Sequence, residues 1–192
     1  MAATKKKTTA KWPAQIFKTL KDADIGQISY VPDAGHADLI KACLADNRIK
    51  TTRLTTEEEG IALALGAWLG GERSALLMQS SGVGNCINML SIIQETRSPL
   101  LMLVTMRGEW GEFNPWQLPM GQNAEAHLER CGVITRRVEA AEDAGEAVAG
   151  AASLAFETLS ATAVLIAQRV IGAKDFAKPP GNADEGGQAG NG

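Results

Sequence analysis

Three consecutive glutamates precede an apolar segment in the stretch Arg53-Leu-Thr-Thr-Glu-Glu-Glu-Gly-Ile-Ala-Leu-Ala-Leu-Gly-Ala-Trp-Leu-Gly-Gly71. Thr56, followed three residues later by Glu59, matches a capping box, so a helix is predicted to begin near Glu57. Its apolar side chains recur at the spacing of an amphipathic helix, and the predicted buried stripe consists of Ile61, Ala64, Leu65, Trp68 and Leu69.

The three carboxylates differ in their position around this predicted helix. At about 100° per residue, Glu57 and Glu58 fall on opposite edges of the buried face, while Glu59 points away and can serve the cap. One carboxylate is therefore predicted to be half buried, and periodicity does not separate Glu57 from Glu58. Acidic residues also favour the first turn of any helix because they complement its dipole, so the cluster has a purely structural explanation as well.

Composition limits the class of protein. A chain of 192 residues with 45% hydrophobic residues can bury one substantial core, and a net charge of -3 lacks the basic field that nucleic-acid binding needs. No apolar run is long enough to cross a bilayer and the N-terminus has no apolar signal region, which predicts a cytoplasmic protein that is not bound to a membrane. Three scattered cysteines are predicted to be reduced, apolar residues: Cys43, Cys86 and Cys131.

Six short apolar or β-branched runs alternate with helical patterns. The predicted strands are 27–31, 49–54, 74–79, 100–105, 133–138 and 163–168. The predicted helices are 13–22, 36–46, the one beginning at Glu57, 85–95, 123–131 and 141–159. This alternation predicts an α/β domain, doubly wound, with a mainly parallel six-stranded sheet and helices on both faces. The domain is predicted to span residues 12–176, between disordered tails at 1–11 and 177–192.

Ligands of such sheets bind beyond the carboxyl ends of the strands, so the loops there are candidate sites. Loop 32–36 ends in His36, either a ligand contact or a histidine at a helix start. Segment 79–85 is a polar, glycine-rich turn that suits close approach by a ligand, or a plain strand-to-helix turn. Loop 107–121 carries an arginine and two tryptophans without a predicted helix or strand, which indicates a functional segment or a subunit interface.

Five motifs occur in an order that resembles one enzyme family. They are Glu57-Glu-Glu-Gly-Ile-Ala-Leu-Ala-Leu-Gly66, Met78-Gln-Ser-Ser-Gly-Val-Gly-Asn85, Ser98-Pro-Leu-Leu101, Arg107-Gly-Glu109 and Pro119-Met-Gly121. Together they resemble the pyrimidine-binding (Pyr) domain of thiamin diphosphate enzymes, and within that group the family of sulfopyruvate decarboxylase α subunits and the related phosphonopyruvate decarboxylases. The resemblance extends over about residues 12–171.

The resemblance implies a role for one glutamate. In the family, a glutamate nine residues before the helix glycine hydrogen-bonds N1′ of the aminopyrimidine, and counting back from Gly66 gives Glu57. Its carboxyl can share a proton with N1′, which favours the imino tautomer that deprotonates the thiazolium ring. The thiazolium then accepts electrons as carbon dioxide leaves a 2-oxo acid. Glu57 is therefore the expected catalytic residue.

The resemblance also implies further site residues. The pyrimidine would be lined by Pro32, Ser80, Ser81, Gly82, Val83 and Asn85. Asp33, His36 and Gln117 would lie near the reacting carbon. Arg107 would hold the distal anion of the substrate, since guanidinium matches a sulfonate or phosphonate, or it is a structural arginine. The family's phosphonopyruvate enzymes have serine at the position of Ala34 and histidine near Gln117, so the departures favour a sulfonate or another 2-oxo acid.

One part of the family's site has no counterpart in the sequence. The cofactor's diphosphate is held through Mg2+ by a Gly-Asp-Gly motif, and no such motif occurs. The resemblance therefore implies that the chain binds no metal itself, and that a β subunit with a diphosphate-binding domain shares the cofactor in a hetero-oligomer. A non-catalytic Pyr-fold binding or regulatory module and a carboligase subunit are the alternatives.

Overall fold

The computed structural model describes residues 12–172, and a six-stranded parallel sheet forms their centre. The strands are β1 (Ile25–Tyr30), β2 (Lys50–Arg53), β3 (Arg73–Gln79), β4 (Leu100–Thr105), β5 (Ile134–Val138) and β6 (Ala161–Ile166). They lie in the order β2-β1-β3-β4-β6-β5, and every pairing is parallel. The predicted tails, and residues 173–176 of the predicted domain, lie outside the described residues.

Eight α-helices precede, connect or follow the strands in this part of the chain. They are α1 (Trp12–Asp22), α2 (Ala37–Ala45), α3 (Glu57–Leu69), α4 (Ser80–Cys86), α5 (Leu90–Thr96), α6 (Leu118–Arg130), α7 (Ala144–Thr158) and α8 (Gln168–Ile171). Two short 3-10 turns, Pro115–Gln117 and Ala141–Asp143, precede α6 and α7. None of the helices within 12–172 has the length and hydropathy that a membrane span requires.

Successive residues of the central strands enter two different cores. Leu77, Leu101 and Leu103 belong to a cluster that includes residues of α1, α2 and α7. Leu76 and Met102 belong to the cluster on the other face, which includes residues of α3, α5 and α6. Because strand side chains alternate between the faces, a strand covered on both sides must be apolar throughout. The predicted fold class and six strands are confirmed.

The expectation of a glycine-rich turn at 79–85 is wrong. Helix α4 begins at Ser80, directly after β3, and the single helix predicted at 85–95 is two helices, α4 and α5. The local pattern of serines and glycines indicates a turn, whereas packing against α3 and α6 stabilises a short helix here. Loop 107–121 is also more ordered than predicted. It contains a 3-10 turn, and α6 begins at Leu118 with Pro119 in its first turn, where the missing N–H costs nothing.

Helix α3 begins at Glu57 as predicted, but its details differ. Thr56 makes no side-chain cap, and the Glu59 carboxylate instead accepts hydrogen bonds from the backbone N and Oγ1 of Thr55, at 2.9 and 3.0 Å. Leu69, predicted to be buried, is 78% exposed. The buried residues of α3 are mostly small: Glu57, Gly60, Ile61, Ala64 and Ala67.

Gly60 explains why small residues form that buried face. A Cβ at Gly60 would lie 2.4 Å from Leu76 Cδ1 of β3, so the helix rests directly on the sheet. The prediction from large apolar side chains missed this close packing. The three cysteines are free, as predicted: Cys43 and Cys86 are buried and Cys131 is half-buried.

Candidate functional site

Polar side chains gather at the carboxyl ends of four neighbouring strands. Asp33 follows β1, Gln79 ends β3, Thr105 ends β4 and Gln168 follows β6. Because these strands are parallel, their carboxyl ends meet at one edge of the sheet. Three groups of residues occupy this edge or adjoin it.

The first group surrounds Glu57. This residue begins α3 and is only 8% exposed, whereas Glu58 is exposed, so the structure separates the two glutamates that periodicity left equivalent. Asn85 Nδ2 of α4 donates a 2.8 Å hydrogen bond to Glu57 Oε2. A Cβ at Gly82 would lie 2.4 Å from both Cδ and Oε1 of Glu57. The carboxyl group therefore lies directly against the α4 backbone, at a place that only glycine allows.

Cys86 completes the buried side of this group. Burial, together with the charges of Glu57 and Glu58, raises the pKa of its thiol to about 12. A thiol with such a pKa stays protonated at neutral pH and is a poor nucleophile. Cys86 therefore acts as a packing residue beside the carboxylate.

The second group is a chain of amides and a carboxylate. Gln79 donates from Nε2 to Asp33 Oδ1 at 3.0 Å and accepts at Oε1 from Gln117 Nε2 at 2.9 Å. Ser81 Oγ donates to the same Oε1 at 3.0 Å, and Thr105 Oγ1 donates to Asp33 Oδ2. Gln79 thus connects the loop after β1 to the 3-10 turn that precedes α6.

The third group is an ion pair in loop 107–121. Arg107 donates from Nε and Nη2 to the two oxygens of Glu112 at 2.7 and 2.6 Å, and the two side chains are only 12% and 3% exposed. These hydrogen bonds lower the pKa of Glu112 to about 2, with smaller contributions from the backbone N–H groups of Asn114 and Gly108. They also raise the pKa of Arg107. Both groups are therefore charged at neutral pH.

A cavity of about 160 Å³ lies between the second and third groups. Its lining combines the predicted substrate residues Asp33 and Arg107 with Thr105, Phe113 and Gln168, and it also includes Ala34. A larger cavity of about 330 Å³ lies beside Arg137, which contacts Glu109, Glu125 and Glu139. That larger cavity contains none of the predicted site residues.

The predicted cofactor residues divide by exposure. Pro32, Ser81 and Asn85 are exposed, while Ser80 and Val83 are fully buried. Ser80 Oγ accepts a hydrogen bond from the backbone N of Arg107 at 3.1 Å. Val83 packs in the apolar cluster under α3. Ser80 and Val83 therefore pack beneath the exposed residues of the site.

His36 lies in the core. It is 0% exposed, its Nε2 is 3.0 Å from the carbonyl oxygen of Leu103, and its ring packs edge-on against Trp12. Its Nδ1 has no hydrogen-bond partner among residues 12–172. Burial is the largest influence on the pKa of His36 and lowers it. The ring is therefore neutral at physiological pH. This placement favours packing over substrate contact.

Four residues of the site were not singled out from the sequence: Gln79, Thr105, Glu112 and Gln168. Three of them end or follow a strand, and a scan of polar residues at predicted strand ends would have found them. Glu112 had no such signal, because its contacts depend on how the loop closes.

Comparisons with known proteins support one family. No protein-family model matches the chain. The sulfopyruvate decarboxylase subunit alpha of Methanocaldococcus jannaschii is 34% identical over 151 residues, which are 78% of this chain and 89% of that protein. The sulfopyruvate decarboxylase of Methanosarcina acetivorans is 34% identical over 122 residues, 62% of this chain and 30% of that longer protein.

A solved structure supports the fold independently. A putative thiamin diphosphate-dependent enzyme from Mycobacterium smegmatis superposes with a TM-score of 0.66, at 15% identity, over 81% of this chain and 30% of that one. At this identity the likeness concerns the fold alone.

Proposed function

The chain belongs to the sulfopyruvate decarboxylase α-subunit family, and we propose that it is the pyrimidine-binding subunit of a thiamin diphosphate-dependent decarboxylase. The reaction is the conversion of sulfopyruvate to sulfoacetaldehyde and carbon dioxide. The observation that carries the proposal is Glu57, a buried carboxylate at the start of α3, packed against Gly82 and held by Asn85.

The residues around Glu57 fit an aminopyrimidine. A side chain at Gly82 would occupy the place of the carboxyl group, so the local backbone is shaped around Glu57. Asn85 holds Oε2, which leaves Oε1 to exchange a proton with the ring nitrogen N1′. Pro32, exposed on the loop after β1, and Ser81, exposed in the first turn of α4, would contact the ring. When bound, thiamin diphosphate supplies the electron sink for carbon–carbon cleavage.

The 160 Å³ cavity is the proposed substrate site. Arg107 lines it and would hold the sulfonate through charge-assisted hydrogen bonds. Asp33 lines the same cavity, and Gln79 links Asp33 to Gln117, which supports the proposal that both residues would act near the reacting carbon. Ala34, one of the departures from the phosphonopyruvate enzymes, lines this cavity, which supports a sulfonate or another 2-oxo acid over phosphonopyruvate.

A partner subunit completes the proposed enzyme. The sequence has no Gly-Asp-Gly motif, so we assign the Mg2+ and the diphosphate end of the cofactor to a β subunit. The name of the M. jannaschii relative, subunit alpha, supports this division. So does the M. acetivorans protein, since the aligned region is only 30% of its length.

The experiment is reconstitution. The chain is purified alone and with a co-expressed β subunit, and carbon dioxide release from sulfopyruvate is measured with thiamin diphosphate and Mg2+. We expect release from the complex and none from the chain alone. Release by the chain alone would contradict the split enzyme, and no release by a stable complex would favour a non-catalytic module.

Glu57→Gln tests the catalytic assignment, and Glu59→Gln is its matched control. The first substitution removes a proton-exchanging group while keeping its size, and we expect turnover to fall by about a hundredfold or more, within the range for general acid–base groups. The second removes an exposed carboxylate on the same turn, which accepts hydrogen bonds from Thr55. Equal losses in the two variants would refute the role of Glu57.

A further inference from the structure

We propose that Glu112 is a positioning residue that sets the orientation in which Arg107 meets the distal anion of the substrate. This inference rests on the proposed function, because it concerns the same cavity. It adds a second carboxylate to the site, one that determines specificity without touching the substrate.

The carboxylate of Glu112 accepts hydrogen bonds from six donor atoms. Its Oε2 accepts from Arg107 Nε, Gly108 N and Gln168 Nε2, at 2.7, 3.1 and 3.0 Å. Its Oε1 accepts from Arg107 Nη2, Phe113 N and Asn114 N, at 2.6, 3.1 and 3.0 Å. A carboxylate offers about four lone-pair sites, so this one is saturated and its orientation is fixed.

The donors to Glu112 include residues that form the cavity wall. Arg107, Phe113 and Gln168 all line the 160 Å³ cavity, whereas Glu112 is not among the lining residues. The aromatic ring of Phe113 also lies near the guanidinium, 5.8 Å from Arg107 Cζ to the ring centre. One buried carboxylate thus holds together two parts of loop 107–121, at Arg107 and at Phe113, and the start of α8.

The contact with Glu112 determines which edge of the guanidinium is available to a ligand. Glu112 binds the edge formed by Nε and Nη2. A guanidinium is planar and carries five N–H donors, so the edge that includes Nη1 is the one left to pair with a sulfonate. Fixing one edge fixes the direction of the other.

The same contact decides how the cavity recognises an anion. Glu112 neutralises Arg107, and the other ionisable side chain lining the cavity is that of Asp33, which carries no positive charge. The cavity therefore lacks net positive charge, and recognition depends on directed hydrogen bonds. This gives a prediction with a definite sign. If charge governed binding, loss of the Glu112 charge would strengthen anion binding, but if orientation governs it, binding weakens.

Glu112→Gln in the complex with the β subunit tests the inference. Binding of 3-sulfopropanoate, which carries the distal anion, and of butanoate, which lacks it, is measured by calorimetry alongside sulfopyruvate kinetics. We expect the Kd of 3-sulfopropanoate and the KM of sulfopyruvate to rise about tenfold, the usual scale for a charge-assisted hydrogen bond, while butanoate affinity and kcat change less than about twofold. Glu157→Gln, an exposed carboxylate on α7, is the matched control.

Two further variants exclude a merely structural role. In an Arg107→Ala background, Glu112→Gln should change the Kd of 3-sulfopropanoate by less than about twofold, because the partner it orients is gone. Glu112→Asp keeps the charge but withdraws it by one methylene. It takes the place of Glu112→Gln if that variant does not fold, and it should also weaken 3-sulfopropanoate binding. Tighter binding, equal weakening of both ligands or an undiminished effect without Arg107 would overturn the inference. An inactive wild-type complex would instead refute the proposed function.

Discussion

Gly82→Ala is expected to displace the Glu57 carboxyl group without substituting any ionisable residue. The new Cβ would lie 2.4 Å from Glu57 Cδ, 2.4 Å from Oε1 and 2.5 Å from Cγ. Carbon atoms in contact prefer 3.5–4.0 Å, so the carboxyl group must move by about 1 Å. A displacement of this size in a reacting group can cost about a hundredfold in rate. We expect carbon dioxide release by the reconstituted complex to fall by that factor.

Stability should respond much less than activity, because the clashing atoms are the end of a flexible side chain. The helix gains about 1 kcal/mol from replacing glycine with alanine, which offsets the cost of moving the carboxyl group. Gly84→Ala is the matched control in the same helix, since its Cβ would find Met120 Sδ at an ordinary 3.4 Å. Similar activity in the two variants, or a loss in Gly82→Ala explained by a lower unfolding temperature, would refute the reasoning.

Two other predictions concern stability. Burial lowers the pKa of His36, so the unfolded chain binds a proton below about pH 6.5 that the folded chain does not, and stability should decrease by up to about 1.4 kcal/mol for each pH unit below that value. Urea unfolding at pH 7.5 and 5.5 should show a smaller pH effect in His36→Gln, and an equal effect would contradict the assignment. Gly108→Ala, at φ +75 with a Cβ 2.6 Å from the Gln117 carbonyl oxygen, should cost about 1–3 kcal/mol in thermal unfolding. Gly150→Ala, with no atom near its Cβ, should be neutral or stabilising, and equal loss in both would show that loop 107–121 tolerates the side chain.

The fold was largely predictable because its signals are local. Alternating apolar runs and helical patterns indicate a doubly wound sheet, and the start of α3 at Glu57 follows from residues within one turn. The buried face of α3 was not predictable in the same way. The expected stripe included Leu69, yet the helix packs through Gly60, because close contact with Leu76 favours small residues. The prediction missed the helix at Ser80–Cys86 for a similar reason, since that helix is supported by packing against α3 and α6.

The site, like the fold, has features that the local sequence predicts and others that depend on tertiary packing. The rule that ligands bind beyond the strand ends correctly indicated the edge where Asp33 and Arg107 lie. Periodicity could not choose between Glu57 and Glu58, because the choice depends on where Gly82 of a later helix comes to rest. Glu112 was missed altogether, since its donors come from separate parts of loop 107–121 and from α8, which only the folded chain brings together.

Glu57 and Glu112 both have little exposed surface, but the number of hydrogen-bond donors around each carboxylate suits them to opposite tasks. Glu112 is saturated by six hydrogen bonds, including two from a guanidinium, and its lowered pKa keeps it ionised throughout the physiological range. It can hold a loop, but it cannot exchange protons at neutral pH. Glu57 receives one neutral amide hydrogen bond among the residues that the structure describes, which leaves lone pairs for a ligand. An acid–base residue needs that vacancy, because a carboxylate fully occupied by the protein has none to offer. The environments, more than the residue type, therefore favour Glu57 for proton exchange and Glu112 for orientation.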